Sequence, residues 1–196
     1  PEKDKTEWLH ERRAGIGGSE VAAIMGENHW NSPRQIWMSK MGMFDDKPAT
    51  QSEAARWGNL LETTVAEEWA LRNERNWVHI PVIIQDDKRP WLLANIDGFT
   101  LSDDSETITG ILEIKTTSAY NQQVWEEGPL PFHYLCQANW YCGITGLIQY
   151  DLVCLVGGQK LVSYTLPFDT ELFDKEVAAA DDFWLNSVQK SIEPEA

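Results

Sequence analysis

Glu113 and Lys115 stand two residues apart in GILEIKTTS (110–118), a run whose other positions are those of a buried strand. A strand points successive side chains to opposite faces, so Ile111, Glu113 and Lys115 share one face while Leu112, Ile114 and Thr116 take the other. Burying an acid and a base unpaired would cost several kcal/mol, so the pair needs partners or a metal. The plain alternative is a cross-strand ion pair at a sheet edge. Sixteen residues upstream, LLANIDGF closes an apolar run with Asp97 before Gly98, a residue that lets backbone or ligand approach closely. An aspartate there is ordinarily an Asx-turn former. With a hairpin between them, however, the two strands converge two carboxylates and an amine on one point. Two hard oxygen ligands suit Mg²⁺ or Mn²⁺, which keep several waters and accept phosphate oxygens. The lysine can position or help deprotonate an attacking water and stabilise charge gathering on phosphorus. Those parts suffice for phosphodiester hydrolysis without a serine or cysteine nucleophile, and the sequence holds no nucleophile elbow, P-loop or GxGxxG.

Helices and strands must hold these residues. TEWLHERRAG offers a helix capped by Thr6, and GGSEVAAIMG a second with Ser19 as cap and Gly26 as stop. SPRQIWMSKMG opens a third at Ser32-Pro33 and closes it at Gly42; residues 44–52 read as an exposed loop. From Glu53 to Asn76 the spacing predicts a long helix with Trp57, Leu61, Val65 and Trp69 as its core-facing stripe. Glu62 lies about 100° round from Leu61, with Gly58 one turn before it, leaving room for something to approach the carboxylate. Standing alone, Glu62 would read as a solvated glutamate.

Five strand-like runs follow: HIPVIIQ, WLLANIDGFTL, ETITGILEIKTT, IQYDLVCLV and QKLVSYTLPF, the last two joined by a Gly157-Gly158 hairpin. Between the third and fourth, PLPFHYLCQANWYCGITG predicts a helix opened by Pro131 and ended by Gly143 or Gly146, with Tyr134, Gln137 and Tyr141 on one face. A final amphipathic helix turns Phe173, Val177, Ala180, Trp184 and Val188 inward and its acids outward. The fold class expected is α/β: a central mixed sheet of about five strands flanked by helices. One domain would span residues 1–196, with N-terminal helices over 6–42, a core over 53–168 and a C-terminal helix over 170–190.

The chain has 196 residues, 42% hydrophobic with 10 Trp, enough for a substantial core. No window has the apolar length of a membrane span, and PEKDKTEWLHERR is too charged for a secretory signal, so a soluble cytoplasmic protein is expected. Cys136, Cys142 and Cys154 form no CxxC pair and read as core thiols. The net charge of -15 opposes a general nucleic-acid-coating surface. The excess is uneven: residues 1–40 hold six basic and six acidic side chains, and 160–196 hold three and eight. A polyanion would approach the N-terminal half.

NIDG followed by EIK resembles the PD-(D/E)xK nuclease motif. RRAGIGGSEVA, WGNLLE, LEIKTTS and PFHYLCQANWYCGITG are similar to pieces of its lambda-exonuclease or YqaJ-like viral recombinase branch, in the family's order from Trp8 to Phe168. That resemblance implies a restriction-endonuclease-like core and a Mg²⁺-dependent, or Mn²⁺-dependent, exonuclease using two ions. It would degrade the 5′-ended strand of linear duplex DNA and leave a 3′ single strand for a single-strand annealing protein. Asp97 and Glu113 would be metal ligands, with the Ile114 carbonyl completing the shell, and Lys115 would assist the water. Glu62 would bind the second metal or act as base, and Gln137 would lie beside the cluster. Arg12 and Ser19 match the pair expected to grip the terminal 5′ phosphate, with Arg13 an adjacent rival to Arg12. A helix N-terminus at Ser19 favours an anion.

Ile96 stands where the motif's proline would be, which touches no ligand. The family encloses DNA in a ring, typically a trimer, so a basic channel inside an acidic exterior would reconcile the charge; a phage or prophage origin in a bacterial host is implied. An endonuclease of the same fold, of restriction or junction-resolving type, is the alternative enzyme, and only an end-directed enzyme gains from the Arg12/Ser19 pocket. A non-catalytic acidic DNA mimic would leave Asp97, Glu113 and Lys115 unexplained. His29 and Trp30 could stack on or wedge a DNA end, or simply pack their own surface loop.

Overall fold

The computed structural model describes residues 13–28, 31–43 and 52–194. Arg12, the helix expected from Thr6, the His29-Trp30 pair and nearly all of the loop expected over 44–52 lie outside them. In chain order the elements are β1 (Ile16–Gly17), α1 (Gly18–Ile24), α2 (Pro33–Lys40), α3 (Glu53–Asn73), β2 (Asn76–Val78), β3 (Ile83–Gln85), β4 (Leu92–Asn95), β5 (Gly98–Leu101), β6 (Ile108–Thr117), α4 (Gln122–Glu126), α5 (Phe132–Thr145), β7 (Gln149–Val156), β8 (Lys160–Pro167) and α6 (Thr170–Asp182), which runs on as a π-helical turn over Phe183–Val188.

A five-stranded sheet has the order β2-β5-β6-β7-β8, and a smaller sheet the order β1-β4-β3. In the larger one β6 and β7 are parallel and the other neighbours antiparallel, so it is mixed as expected. A parallel pair cannot be closed by a hairpin; α4 and α5 make the crossover. Leu112, Ile114 and Val153 bury one face of this sheet against Val65, Ala66 and Trp69 of α3. On the other, Ile111, Leu152 and Cys154 join a core with Cys136, Ala138 and Trp140 of α5. The alternation in β6 thus sends two apolar sets to two different helices. The three cysteines are buried free thiols.

The turn chemistry falls largely where the residues demand it. Ser32 caps α2 by accepting from the Gln35 N–H, with Pro33 in the first turn and Gly42 beyond the end at φ 67°. Gly157 and Gly158 both take positive φ in the β7–β8 hairpin. Helix α5 ends at Gly146 (φ 74°); Gly143 is interior, where a Cβ would lie 2.2 Å from the Phe173 ring.

Four expectations are corrected. Helix α3 stops at Asn73, because Glu74 turns left-handed and Asn76 already pairs with Leu101. Trp57 is not core: it is 56% exposed, and in the first turns of α3 it is Gly58 that faces β6. WLLANIDGFTL is two strands in different sheets, β4 pairing with β1 and β3, β5 with β2 and β6, and the chain changes sheet at Ile96-Asp97. The run expected from His79 contributes only Ile83–Gln85, while Asn76–Val78 forms the extra strand β2. Among the described residues no helix is long and apolar enough to cross a membrane.

Candidate active site

Strand β6 lies between β5 and β7; its β5 pairing stops at Leu112, so β7 holds Glu113 and Lys115 along one edge while the turn carrying Asp97 stands on the other. The Glu113 side chain is fully buried, with one oxygen ion-paired to the Lys115 ammonium. Lys115 Nζ also donates to Gln137 Oε1 at 3.2 Å and sits 5.1 Å from the Tyr134 ring centroid. Gln137 Nε2 in turn donates to the Tyr141 hydroxyl at 3.1 Å. The face of α5 carrying Tyr134, Gln137 and Tyr141 therefore closes over the charged face of β6. The cross-strand ion pair is excluded, since both partners belong to β6 itself.

Asp97 arrives from the β4–β5 turn. Its Oδ2 accepts the Ile114 N–H at 2.9 Å, which seats the carboxylate against β6. It lines a hollow with Gly18, Ser19, Asn95, Gln137 and Tyr141, and others with Glu62, Asn59, His79, Ile114, Lys115 and Thr116. Asp97 is the wall these hollows share. Glu62 reaches the latter hollows from α3, where Gly58 brings the helix close: a Cβ there would lie 3.4 Å from Thr116 Oγ1.

The carboxylates resist ionisation together. Burial, then the charge of Asp97, pushes Glu62 up to about 7, with His79 and Lys115 offsetting part of the rise. Burial also raises Asp97 against the pull of Lys115 and the Ile114 N–H. It raises Glu113 as well, with Asp97 adding to it and Lys115 opposing. Burial works against the Lys115 ammonium, but Glu113 and Asp97 outweigh it and hold its pKa above the usual lysine value. Lys115 is thus a fixed cation among three acids.

This donor set fits a divalent cation. Glu113 Oε2 is buried with no hydrogen-bond partner, and three mutually repelling carboxylates face one lysine. Among the described residues no three His, Cys, Asp or Glu groups form a ready ligand cage. The protein oxygens on offer are Asp97, Glu113 and the Ile114 carbonyl, with Glu62 across the hollow.

Ser19 is exposed in the hollow beside Asp97, at the second position of α1 rather than at its cap. The cap is Gly17, whose N–H donates to Glu20 Oε2 at 2.9 Å; Glu20 also takes Lys40 Nζ at 2.8 Å, tying α1 to α2. Glu20, three residues beyond Gly17, carries the capping-box spacing that would have found it. Arg13 has its guanidinium beside Gly42 at the end of α2. Helix α1 rests on α5 through Gly18, where a Cβ would come within 2.6 Å of the Tyr141 ring and 3.0 Å of the Gln137 carbonyl. Gly18→Ala is expected to lower stability by about 1–3 kcal/mol by prising α1 off α5; an unchanged melting temperature would mean that Tyr141 swings aside. His79, unremarked in the sequence, is a further member: its Nδ1 lies 2.9 Å from the Asp97 carbonyl oxygen.

The fold is a mixed α/β architecture of a kind found in solved exonucleases. The chain superimposes on the alkaline exonuclease LHK-Exo from Laribacter hongkongensis with a TM-score of 0.76, at 18% identity, over 95% of this chain and 94% of that one. A phage-related exonuclease from Haemophilus somnus 129PT gives 0.67 at 12% identity, over 90% and 96%. At such identities the likeness is one of fold. The sequence is 36% identical over 189 residues to the uncharacterized protein YqaJ of Bacillus subtilis (strain 168), covering 95% of this chain and 57% of YqaJ, so the chain spans rather more than half of that relative's length. Residues 7–148 match the YqaJ-like viral recombinase domain, and the chain belongs to that family.

Proposed function

We propose that this protein is a Mg²⁺-dependent exonuclease that degrades the 5′-ended strand of linear duplex DNA and leaves a 3′ single strand for a single-strand annealing protein. The observation that carries the reading is the convergence of Asp97 from the β4–β5 turn with Glu113 and Lys115 of β6, Glu113 Oε2 being buried and unpartnered. Asp97, Glu113 and the Ile114 carbonyl would hold one ion, and Glu62 would join them for a second. Bound there, Mg²⁺ or Mn²⁺ supplies a Lewis acid and an acidified water.

The remaining work belongs to the chain. Gln137 and Tyr134 hold the Lys115 ammonium beside the carboxylates, where it neutralises charge growing on the phosphate oxygens. Ser19, one wall away from Asp97, contacts the terminal 5′ phosphate with Arg12 or Arg13. Contacts to backbone and ends carry no base preference. The charge of -15 is accommodated by a ring-shaped trimer with its acidic surfaces outside; α6 exposes Glu171, Asp174 and Asp182.

The test offers the protein Mg²⁺ with a linear duplex bearing 5′-phosphate, the same duplex bearing 5′-hydroxyl, and a covalently closed circle. Loss of the linear duplexes only, faster with the phosphate, is expected. Cutting of the circle would make the enzyme an endonuclease, and an equal rate on both ends would remove the phosphate site. Light scattering on the same sample should report a closed oligomer; a strict monomer would overturn the ring.

A further inference from the structure

We infer that His79 is a positioning residue for Asp97, acting on the backbone that carries the carboxylate; this rests on the reading of Asp97 as an ion ligand. His79 follows the last residue of β2 and sets its Nδ1 2.9 Å from the Asp97 carbonyl oxygen. A carbonyl oxygen only accepts, so Nδ1 carries the hydrogen whatever the charge on the ring.

The bond stands where a ladder gives out. Strands β2 and β5 pair from Asn76↔Leu101 to Val78↔Phe99 and no further, because upstream of Gly98 the chain leaves for the other sheet. On the opposite side the β5–β6 pairing begins at Gly98↔Leu112, and one residue before it the Asp97 carboxylate accepts the Ile114 N–H. Asp97 therefore sits in a gap between two ladders and is held by a side-chain bond on each side. One is made by its own carboxylate toward β6, the other by the His79 ring from β2.

His79 is exposed, so its hydrogen bond contributes little to global stability. Its effect is on aim. With one carboxylate oxygen committed to Ile114, the direction in which the other points follows the backbone at residue 97. Outer partners that orient a ligand in this way typically change metal affinity by about 10–100-fold when removed.

Three variants separate the roles of the ring. His79→Asn keeps a donor near the Nδ1 position, His79→Gln moves it to the Nε2 position, and His79→Ala removes it. With Mn²⁺ alone as probe in titration calorimetry, the Ala and Gln variants should bind about 10–100-fold more weakly. The Asn variant should stay within about threefold of the parent, and all three should keep the parent's melting temperature. Parental binding by the Ala variant, or rescue by Gln instead of Asn, would overturn the assignment. A parent that does not bind Mn²⁺ would overturn the ligand reading of Asp97 and the positioning role with it. The clamp itself is read independently by a long-range ¹⁵N spectrum of the histidines, in which the resonance lost in the His79→Ala variant should carry its proton on Nδ1. A bare Nδ1 there means no clamp exists.

Discussion

Replacing Lys115 by alanine is expected to lower turnover on linear duplex DNA by about 10²–10³-fold, the usual consequence of removing one preorganised donor to a developing oxyanion. Duplex binding should survive, because phosphate contacts along the backbone are many and individually modest. The ammonium is confined by three groups at once: the Glu113 carboxylate, Gln137 Oε1 at 3.2 Å and the Tyr134 ring at 5.1 Å. It cannot be replaced by a group of different reach. Arginine, with a planar fork on a longer stem, should rescue little. Its loss also leaves Glu113 buried without its cation, so more Mg²⁺ should not restore the rate. Single-turnover kinetics and filter binding on parent and variant separate chemistry from affinity. Activity within about tenfold of the parent would take Lys115 out of the chemistry.

The second large effect concerns stability. Glu176 faces into the core from α6 with its side chain fully buried; Oε2 takes Asn139 Nδ2 at 3.4 Å and Oε1 has no partner. Burial pushes its carboxyl up to about 8, with the Asn139 hydrogen bond and the nearby Cys136 thiol offsetting part and Asp169 adding to it. An unfolded glutamate titrates near 4.5. Between those values the folded protein holds a proton that the unfolded chain gives up, so stability falls as pH rises through the window. The contribution is fully present below about 4.5 and lost above about 8. Glu176→Gln keeps the shape and removes the titration. The variant should show a flatter decline in stability between about pH 5 and about pH 8, and at the upper end exceed the parent by up to a few kcal/mol. Denaturant unfolding of both at the two pH values measures this; parallel curves would mean that Glu176 ionises freely in the fold.

Glu176 also marks where sequence reading stopped. Residues 173, 177 and 180 of the final helix read as inward, and 176 falls on the same face by helical spacing, yet its charge invites placement outside. What brings it in is Asn139 on a different helix, which local pattern does not contain. Trp57 fails in the opposite sense: its spacing to Leu61 and Val65 is correct, but periodicity does not show that Gly58, one residue on, is what meets the sheet there. The split of WLLANIDGFTL between two sheets was hidden because each half alone reads as a good strand. By contrast, Glu113 and Lys115 were legible because a strand's period of two leaves them no choice of face. Asp97 was legible because a carboxylate before a glycine at a hairpin entrance has few places to point. Helix spacing aligned Gln137 with Tyr134 and Tyr141, but its place beside the carboxylates came from the resemblance to the nuclease family and not from the spacing. His79 carried no such signal, since its role depends on a ladder that ends beside it.

The exposure of the first turns of α3 bears on how evenly the site resists local opening. Strand β6 is paired with β7 from Ile111 to Thr117 and with β5 as far as Leu112, and a helix covers each of its faces, so its amides bonded to β7 should open only near the global unfolding free energy. The first turns of α3, from Glu53 to Leu60, are exposed on almost every side and belong to the weakly protected end of the scale. Glu62 lies at the border between the two regimes. One wall of the hollow, carrying Glu113 and Lys115, is as permanent as the fold itself. The other can fray and re-form many times without cost to the rest of the molecule.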